Sequence, residues 1–478
     1  MPDGARWTAI GTARQRKLLV VVLVAAAALR FAWAIDQAHA PLRGDPLSYF
    51  IMALGFAHGH GYPSSTVEFA NLARSRAGVR PLPVPPSAYF PPGYPAVLGA
   101  LYWAMLHSPI PHDGDALPAA GRMLNALFST GVVGLTFLIA RRIVSCTAAL
   151  VATALVALTP SLIFASGTLH VEPFATLAVL LVVYLAVRVA WSTRGLPWRA
   201  LAAIAVVAGA AALVRPTSLA PLVGIAAGIA AARTPTRRLV AQLGWVLLLA
   251  ALVIVPWTVR NAVQLHAFVP VSTGIADAMC MSRNPDATGR YMVTSYCEPS
   301  DRGVAVSRYE VLRYHHNEHQ AWQWVVHHPA GEVGQWFTRT YWAFREDHDL
   351  LEAGFGTTAY RVVGDAADAF FLALLVAAAF GARRFARRVR PRRVMLLATA
   401  AVLLCVPALL HGEPRFKVPA EPLLAIIAAP ALVAAGRACW TNGPAGWCRR
   451  GFSRPEARPR TIARAGAPPA HRQESLGT

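Results

Sequence analysis

Apolar residues in this chain gather into ten runs of about 16 residues or more that are almost free of charge, close to the length that crosses a hydrocarbon core. They read as helices over 17–36, 121–141, 147–165, 173–191, 199–214, 216–232, 239–257, 366–382, 394–410 and 418–436. Two long stretches of mixed polarity interrupt them, 37–120 and 258–365. In the first, Tyr49, Met52, Ala53 and Phe56 recur at spacings of three and four behind Asp45 and Pro46. That spacing predicts a short amphipathic helix that stops at Gly59-His60-Gly61 and lies on the bilayer surface beside the first span. The apolar piece 96–106 is too short to cross and reads as a second interfacial or re-entrant helix. In the second stretch, EVLRYHHNEHQAWQWVVHHP (310–329) has helical patterning and predicts a folded outer domain.

Composition supports the same class. Of 478 residues 55% are apolar and 14% charged, with a mean hydropathy of +0.42, so the chain is expected to be an all-α polytopic membrane protein with about ten transmembrane helices. The net charge of +21 does not point to nucleic acid, because the basic residues alternate with apolar spans instead of forming one face. They orient the spans instead. Arg14, Arg16 and Lys17, then Arg141 and Arg142, Arg233 and Arg237, and the cluster from Arg383 to Arg393 all fall on one side if both termini are cytoplasmic. Of the 24 acids, just Asp3, Glu456 and Glu474 fall on that side, and the polar chemistry collects on the opposite, outer face. The expected organisation is a cytoplasmic N-terminus at 1–16 and a membrane core at 17–257 that includes the outer loop 37–120. An outer-face domain at 258–365, closing helices at 366–436 and a basic tail at 437–478, unpatterned and expected to be disordered, complete it. The localisation expected is the inner (plasma) membrane, multi-pass, with the site facing outward.

The outer helix ends hold the candidate chemistry. Asp45 and Tyr49 follow the first span, Glu172 sits in HVEP, Arg215 in LVRP, Arg260 and Asn261 in PWTVRN, and His411, Glu413 and Arg415 in HGEPRFKVP. Each has a plainer reading. Asp45 before Pro46 makes a helix N-cap, Glu172 caps the helix entering at Pro173, Arg260 snorkels, and Arg415 and Lys417 hold lipid head-group phosphates. Yet acids and cations from distant helices converge on one face. That set suits transfer of a sugar from a polyprenyl monophosphate. A carboxylate takes the acceptor proton and arginines hold the departing phosphate, which needs no general acid.

No metal or other cofactor is expected: His315 and His319, or His58 and His60, form no standard zinc signature. Cys280 and Cys297 share the outer loop, where an oxidising compartment allows a disulfide.

The ordered motifs resemble a known family. They are the Asp-Pro-x-x-Tyr helix, PPGYP, RMLNALFSTGVVGLTFLIARRI, TPSLIFASGTLHVEP, GAAALVRPTSLAPL, VPWTVRN and HGEPRFKVPAEPLL. Together they are similar to bacterial membrane glycosyltransferases of the GT-C fold, in the branch of protein O-mannosyltransferases and lipid A aminoarabinose transferases. The resemblance implies that Asp45 is the first-loop catalytic base, that Glu172 is a second acid, and that Arg415 lies close to the donor phosphate. It departs from protein O-mannosyltransferases at Pro46, where those enzymes carry a second acid. The function expected is inverting transfer from a polyprenyl-phosphate sugar to a cell-envelope glycan, lipid or protein. The alternative is a secondary transporter or lipid flippase, which predicts midplane charges and an internal repeat. The spans carry their charge at their ends.

Overall fold

The computed structural model describes residues 11–109, 115–300, 304–345, 357–387 and 389–442, with the backbone alone for 357–360 and 439–442. The expected tail lies largely outside these residues. Every regular element among them is a helix. In chain order these are α1 (Ala13–Asp36), α2 (Gly44–Ala57), α3 (Ser65–Arg76), α4 (Gly93–Leu106), α5 (Ala116–Ala140), α6 (Cys146–Ala157), α7 (Pro160–Phe164), α8 (Glu172–Arg188) and α9 (Trp198–Val214). Then come α10 (Ala220–Ala231), α11 (Thr236–Leu265), α12 (Gly274–Cys280), α13 (Val306–His327), α14 (Pro329–Ala343), α15 (Thr357–Ala386), α16 (Pro391–Leu409) and α17 (Glu421–Asn442). The chain divides into two compact units, 1–433 and 434–478; of the second, the described residues are the last turns of α17.

All ten apolar runs are helical, but length alone does not carry the count of about ten crossings. Six helices are long and apolar enough to cross, and a seventh if α6 and the segment from Pro160 to Gly167 form one broken span. The rest are shorter. α8 and α9 have 17 residues each, about 25 Å at 1.5 Å per residue. Two helices run past their apolar runs: α11 continues to Leu265 and α15 begins at Thr357.

The break between α6 and α7 has a clear cause. Pro160 has no N–H to give the preceding turn, and the two helices bend by 54° there. In lipid the freed carbonyls have no water to meet, so a buried partner is needed. Arg30 of α1, fully buried, supplies it. Its Nη atoms donate to the carbonyls of Ala157 (2.9 Å) and Val156 (3.0 Å), and its Nε donates to Ser129 Oγ (2.7 Å). Ser129 in turn donates to the Leu162 carbonyl at 2.9 Å. A charge in the first span is thus a helix-break clamp that joins α1, α5, α6 and α7.

Replacing Arg30 with Leu should orphan these acceptors and cost about 1–3 kcal/mol, seen as a lower melting temperature in detergent. Arg30→Lys should recover part of the loss. Equal melting of wild type and Arg30→Leu would contradict the clamp.

Candidate active site

The first wall of the site is set by how the chain enters α2. Arg122 of α5, buried, donates to the carbonyls of Ala38 (2.6 Å), Ala40 (2.5 Å) and Gly167 (3.1 Å), which ties the segment after α1 to the bundle. Gly44 then turns the chain with φ of +54°, a conformation open to glycine. Asp45 stands in the first turn of α2, where Arg43 holds the cap position and no side chain caps the helix. Its carboxylate points instead at Arg415, accepting a hydrogen bond and ion pair from Nη1. One turn on, Tyr49 is buried with its ring 4.8 Å from Phe90 and edge-on to Tyr94 at 5.1 Å.

The second wall comes from the far end of the chain. After α16 ends at Leu409 the backbone passes through His411 and Gly412 into a tight turn over Pro414–Phe416. A Cβ at Gly412 would meet the Arg339 carbonyl at 2.6 Å and the Gly289 carbonyl at 2.7 Å, so the chain between α11 and α15 can approach because this residue is glycine. Arg415 sits between two carboxylates: besides Asp45, its Nε lies 2.5 Å from Glu413 Oε1. The other oxygen of Glu413 meets His411 Nε2 at 2.7 Å. Burial works to raise the Glu413 pKa, but the Arg415 charge and the His411 contact prevail and hold it far below the usual carboxylate range.

Phe416 joins a second ion pair to the first. Arg215 stacks on its face with the guanidinium carbon 4.8 Å from the centroid, while His411 meets its edge at 4.9 Å. Arg215 Nη1 donates to Glu172 Oε1 at 2.9 Å. Glu172 starts α8 without capping it. Exposure separates the two acids: the Asp45 side chain is 28% exposed and that of Glu172 is 0%. A molecule in solution or at the bilayer surface reaches Asp45 and not Glu172.

Between the walls lies an open cleft lined by Asp45, Tyr49, Arg215, His411 and Arg415. Three further residues close it, Tyr89 from the proline-rich loop and Asp277 and Tyr291 from the chain after α11, none of which the pattern of the chain singled out. Asp277 accepts from Asn317 Nδ2 at 2.7 Å, from the Tyr89 hydroxyl, and pairs with Arg313 at 3.0 Å. Burial nevertheless raises its pKa. Burial, then the negative charge of Asp45 and Asp277, raises that of Tyr291. Cys280 and Cys297 are joined by a disulfide that closes the loop carrying Tyr291 onto α12. One sequence signal was available: Asp277 is the single acid in the short apolar helix that ends at Cys280.

Arg260 and Asn261 lie elsewhere. Arg260 donates to the carbonyls of Ser87 (2.5 Å) and Tyr62 (3.3 Å) and stacks on Trp257 at 4.8 Å, so it pins the proline-rich loop to α11. Asn261 is buried and donates to the Val269 carbonyl at 3.0 Å. Among the described residues no three His, Cys, Asp or Glu side chains are grouped as metal ligands.

No protein-family profile and no curated protein sequence matches the chain. Solved structures do. An archaeal oligosaccharyltransferase AglB from Archaeoglobus fulgidus, in complex with an inhibitory peptide and a dolichol-phosphate, superposes with a TM-score of 0.55 over 92% of this chain at 12% identity. The Archaeoglobus fulgidus oligosaccharyltransferase in complex with Zn and sulfate matches at 0.53 over 88% with 14% identity, and the form tethered to an acceptor peptide at 0.54 over 89% with 12% identity. The chain spans about half the length of these neighbours, 52%, 49% and 50%. The likeness is one of fold, the GT-C membrane fold of that enzyme, and it does not reach the bacterial branch that the motifs resemble.

The Glu413 pKa is depressed in the folded chain, so its contribution to stability is present above the unfolded carboxylate value of about 4.3 and is lost as pH falls below it. The melting-temperature gap between wild type and Glu413→Gln should therefore be widest above about pH 5 and shrink in acid. A gap that stays constant from pH 7 to pH 3 would contradict this assignment.

Proposed function

We propose that this chain is a membrane glycosyltransferase that moves a sugar from a polyprenyl-phosphate carrier to an acceptor hydroxyl on the outer face of the membrane, with inversion. The observation that carries the reading is one juxtaposition. A reachable carboxylate, Asp45, shares the half-buried guanidinium of Arg415 at the mouth of a cleft that Arg215 and His411 also line. The fold likeness to an enzyme solved in complex with a dolichol-phosphate supports the same class of carrier.

The roles follow from the geometry. The donor phosphate lies against Arg415 and Arg215, whose planar donors match phosphate oxygens. As it binds it competes with Asp45 for Arg415, and the carboxylate turns to the acceptor. Asp45 then takes the acceptor hydroxyl proton while that oxygen attacks the anomeric carbon. The bond from that carbon to the phosphate oxygen breaks, and its electron pair leaves with the polyprenyl phosphate, held by the two guanidiniums. A single displacement at the carbon inverts it. Glu172, buried against Arg215, acts as a positioning residue that fixes the stacked guanidinium on Phe416. Tyr49 supports Asp45 from one turn below, and Glu413 with His411 orients Arg415. Arg260 and Asn261 serve the substrate indirectly, by holding the loop that carries Ser87 and Tyr89. The acceptor approaches from the outer side, which the distribution of basic residues assigns to the face opposite both termini.

In membranes supplied with a labelled polyprenyl-phosphate sugar, Asp45→Asn should lower transfer by about 10²–10⁴-fold at unchanged protein level. Glu172→Gln should lose less and rise mainly in donor KM, because it leaves the arginine in place but loosened. Full transfer by Asp45→Asn would return that residue to a helix-start role.

A further inference from the structure

α14 is built inside out. Its charged residues face the protein: Glu332 and Arg339 are buried. Glu332 accepts two hydrogen bonds from Arg339, at 2.9 Å each, and one from Arg283 at 2.7 Å. Its apolar residues face outward. Val333 is 47% exposed, Trp336 43%, Phe337 73% and Tyr341 49%. Offsets of three, four and eight residues from Val333 put these four on one side of the helix, centred about 125° from the buried ion cluster. Trp336 keeps its polar atom on the inner side, donating Nε1 to Glu332 at 3.0 Å while its ring stands out.

A stripe of this kind facing water is a liability. The neighbouring element shows what covers it. Arg339 Nη1 donates to the Ala408 carbonyl and Arg283 Nη2 to the Leu409 carbonyl, each at 2.9 Å. Those carbonyls end α16, one of the helices long and apolar enough to cross the membrane, and Leu409 itself is 55% exposed. The outward face of α14 therefore continues the lipid-facing surface of α16 at its outer end. Aromatic rings with a polar atom turned inward are the composition that settles at the bilayer boundary.

We infer that α14 is a membrane-surface helix whose Val333–Trp336–Phe337–Tyr341 stripe sits in the head-group boundary of the outer leaflet. The ion cluster beneath it then holds the end of α16, and with it the His411–Arg415 segment, at a fixed depth relative to lipid phosphates. The occupant of the stripe is lipid, and neither a partner protein nor a second copy is needed to cover it.

The test uses the full chain in phosphatidylcholine vesicles with Cys146, Cys405, Cys439 and Cys448 replaced by serine and the Cys280–Cys297 bond kept. Single cysteines at Val333, Phe337 and Tyr341, and at Gly331 and Thr338 away from the stripe, carry a nitroxide. The first three should be relaxed several-fold more by oxygen than by a water-soluble nickel chelate, and the last two the reverse. Preference for the chelate at all five would overturn the assignment, as would labels on the stripe shielded from both reagents, which would mean a protein cover. Each label sits on an exposed or half-buried position, and retention of the disulfide-bonded, monodisperse protein checks folding independently of any activity.

Discussion

One guanidinium shared between two carboxylates is the constraint around which this structure is arranged. Arg415 is held by Asp45 on one side and Glu413 on the other. An arginine half withdrawn from water is costly unless its charge is met, and the two carboxylates together outweigh this one before a ligand arrives. A phosphate brings the charge that the guanidinium can accept in place of Asp45. Asp45 is the more exposed of the two acids and the one that comes from a distant helix, whereas Glu413 is tied by His411 and moves with Arg415. The pair that can open is the pair that contains the proposed base.

Everything around Arg415 serves to keep that arrangement at one place. Glycine at 412 lets the chain between α11 and α15 lean on the segment, and Arg283 and Arg339 seize the last carbonyls of α16 just before it. Arg122 does the equivalent for the segment ahead of Asp45. Arg215, flat on Phe416 and paired with Glu172, sets the second cation at the distance of a stacked ring. In each case an arginine satisfies backbone carbonyls or a carboxylate where water is scarce, which is the general problem of a site beside lipid. Nearly all the basic residues of this chain are arginine, and several of them are buried clamps of this kind.

Much of the fold was legible because charge-free runs and helical spacing are local signals. The ten runs, the helix behind Asp45, the helix at 93–106 and that at 306–327 all follow from them. The number of crossings was less legible. Pro160 breaks one run into two short helices, and α8 and α9 are apolar without the length of a comfortable span. The site was legible in parts: charged residues at outer helix ends marked Asp45, Arg215, His411 and Arg415. Their pairing was not, since Asp45 and Arg415 are 370 residues apart and spacing says nothing across such a distance. Tyr291 stayed hidden in irregular chain with no period to flag it, and Asp277 in a helix of seven residues, too short to show one. The role of Arg30 was not legible, because the carbonyls that it meets come together once α6 and α7 are bent. Arg260 and Asn261 share the chemistry of a phosphate site, but their partners are backbone carbonyls.

The central claim is that phosphate and Asp45 compete for Arg415. It is tested most directly by the affinity of purified wild type and Asp45→Asn for a polyprenyl monophosphate without sugar, by calorimetry in detergent micelles. Removing the competing negative charge should leave the affinity undiminished or raise it several-fold, even though the variant is expected to transfer no sugar. Weaker binding by Asp45→Asn, with Arg415→Gln binding as wild type does, would contradict the account and separate Arg415 from the phosphate.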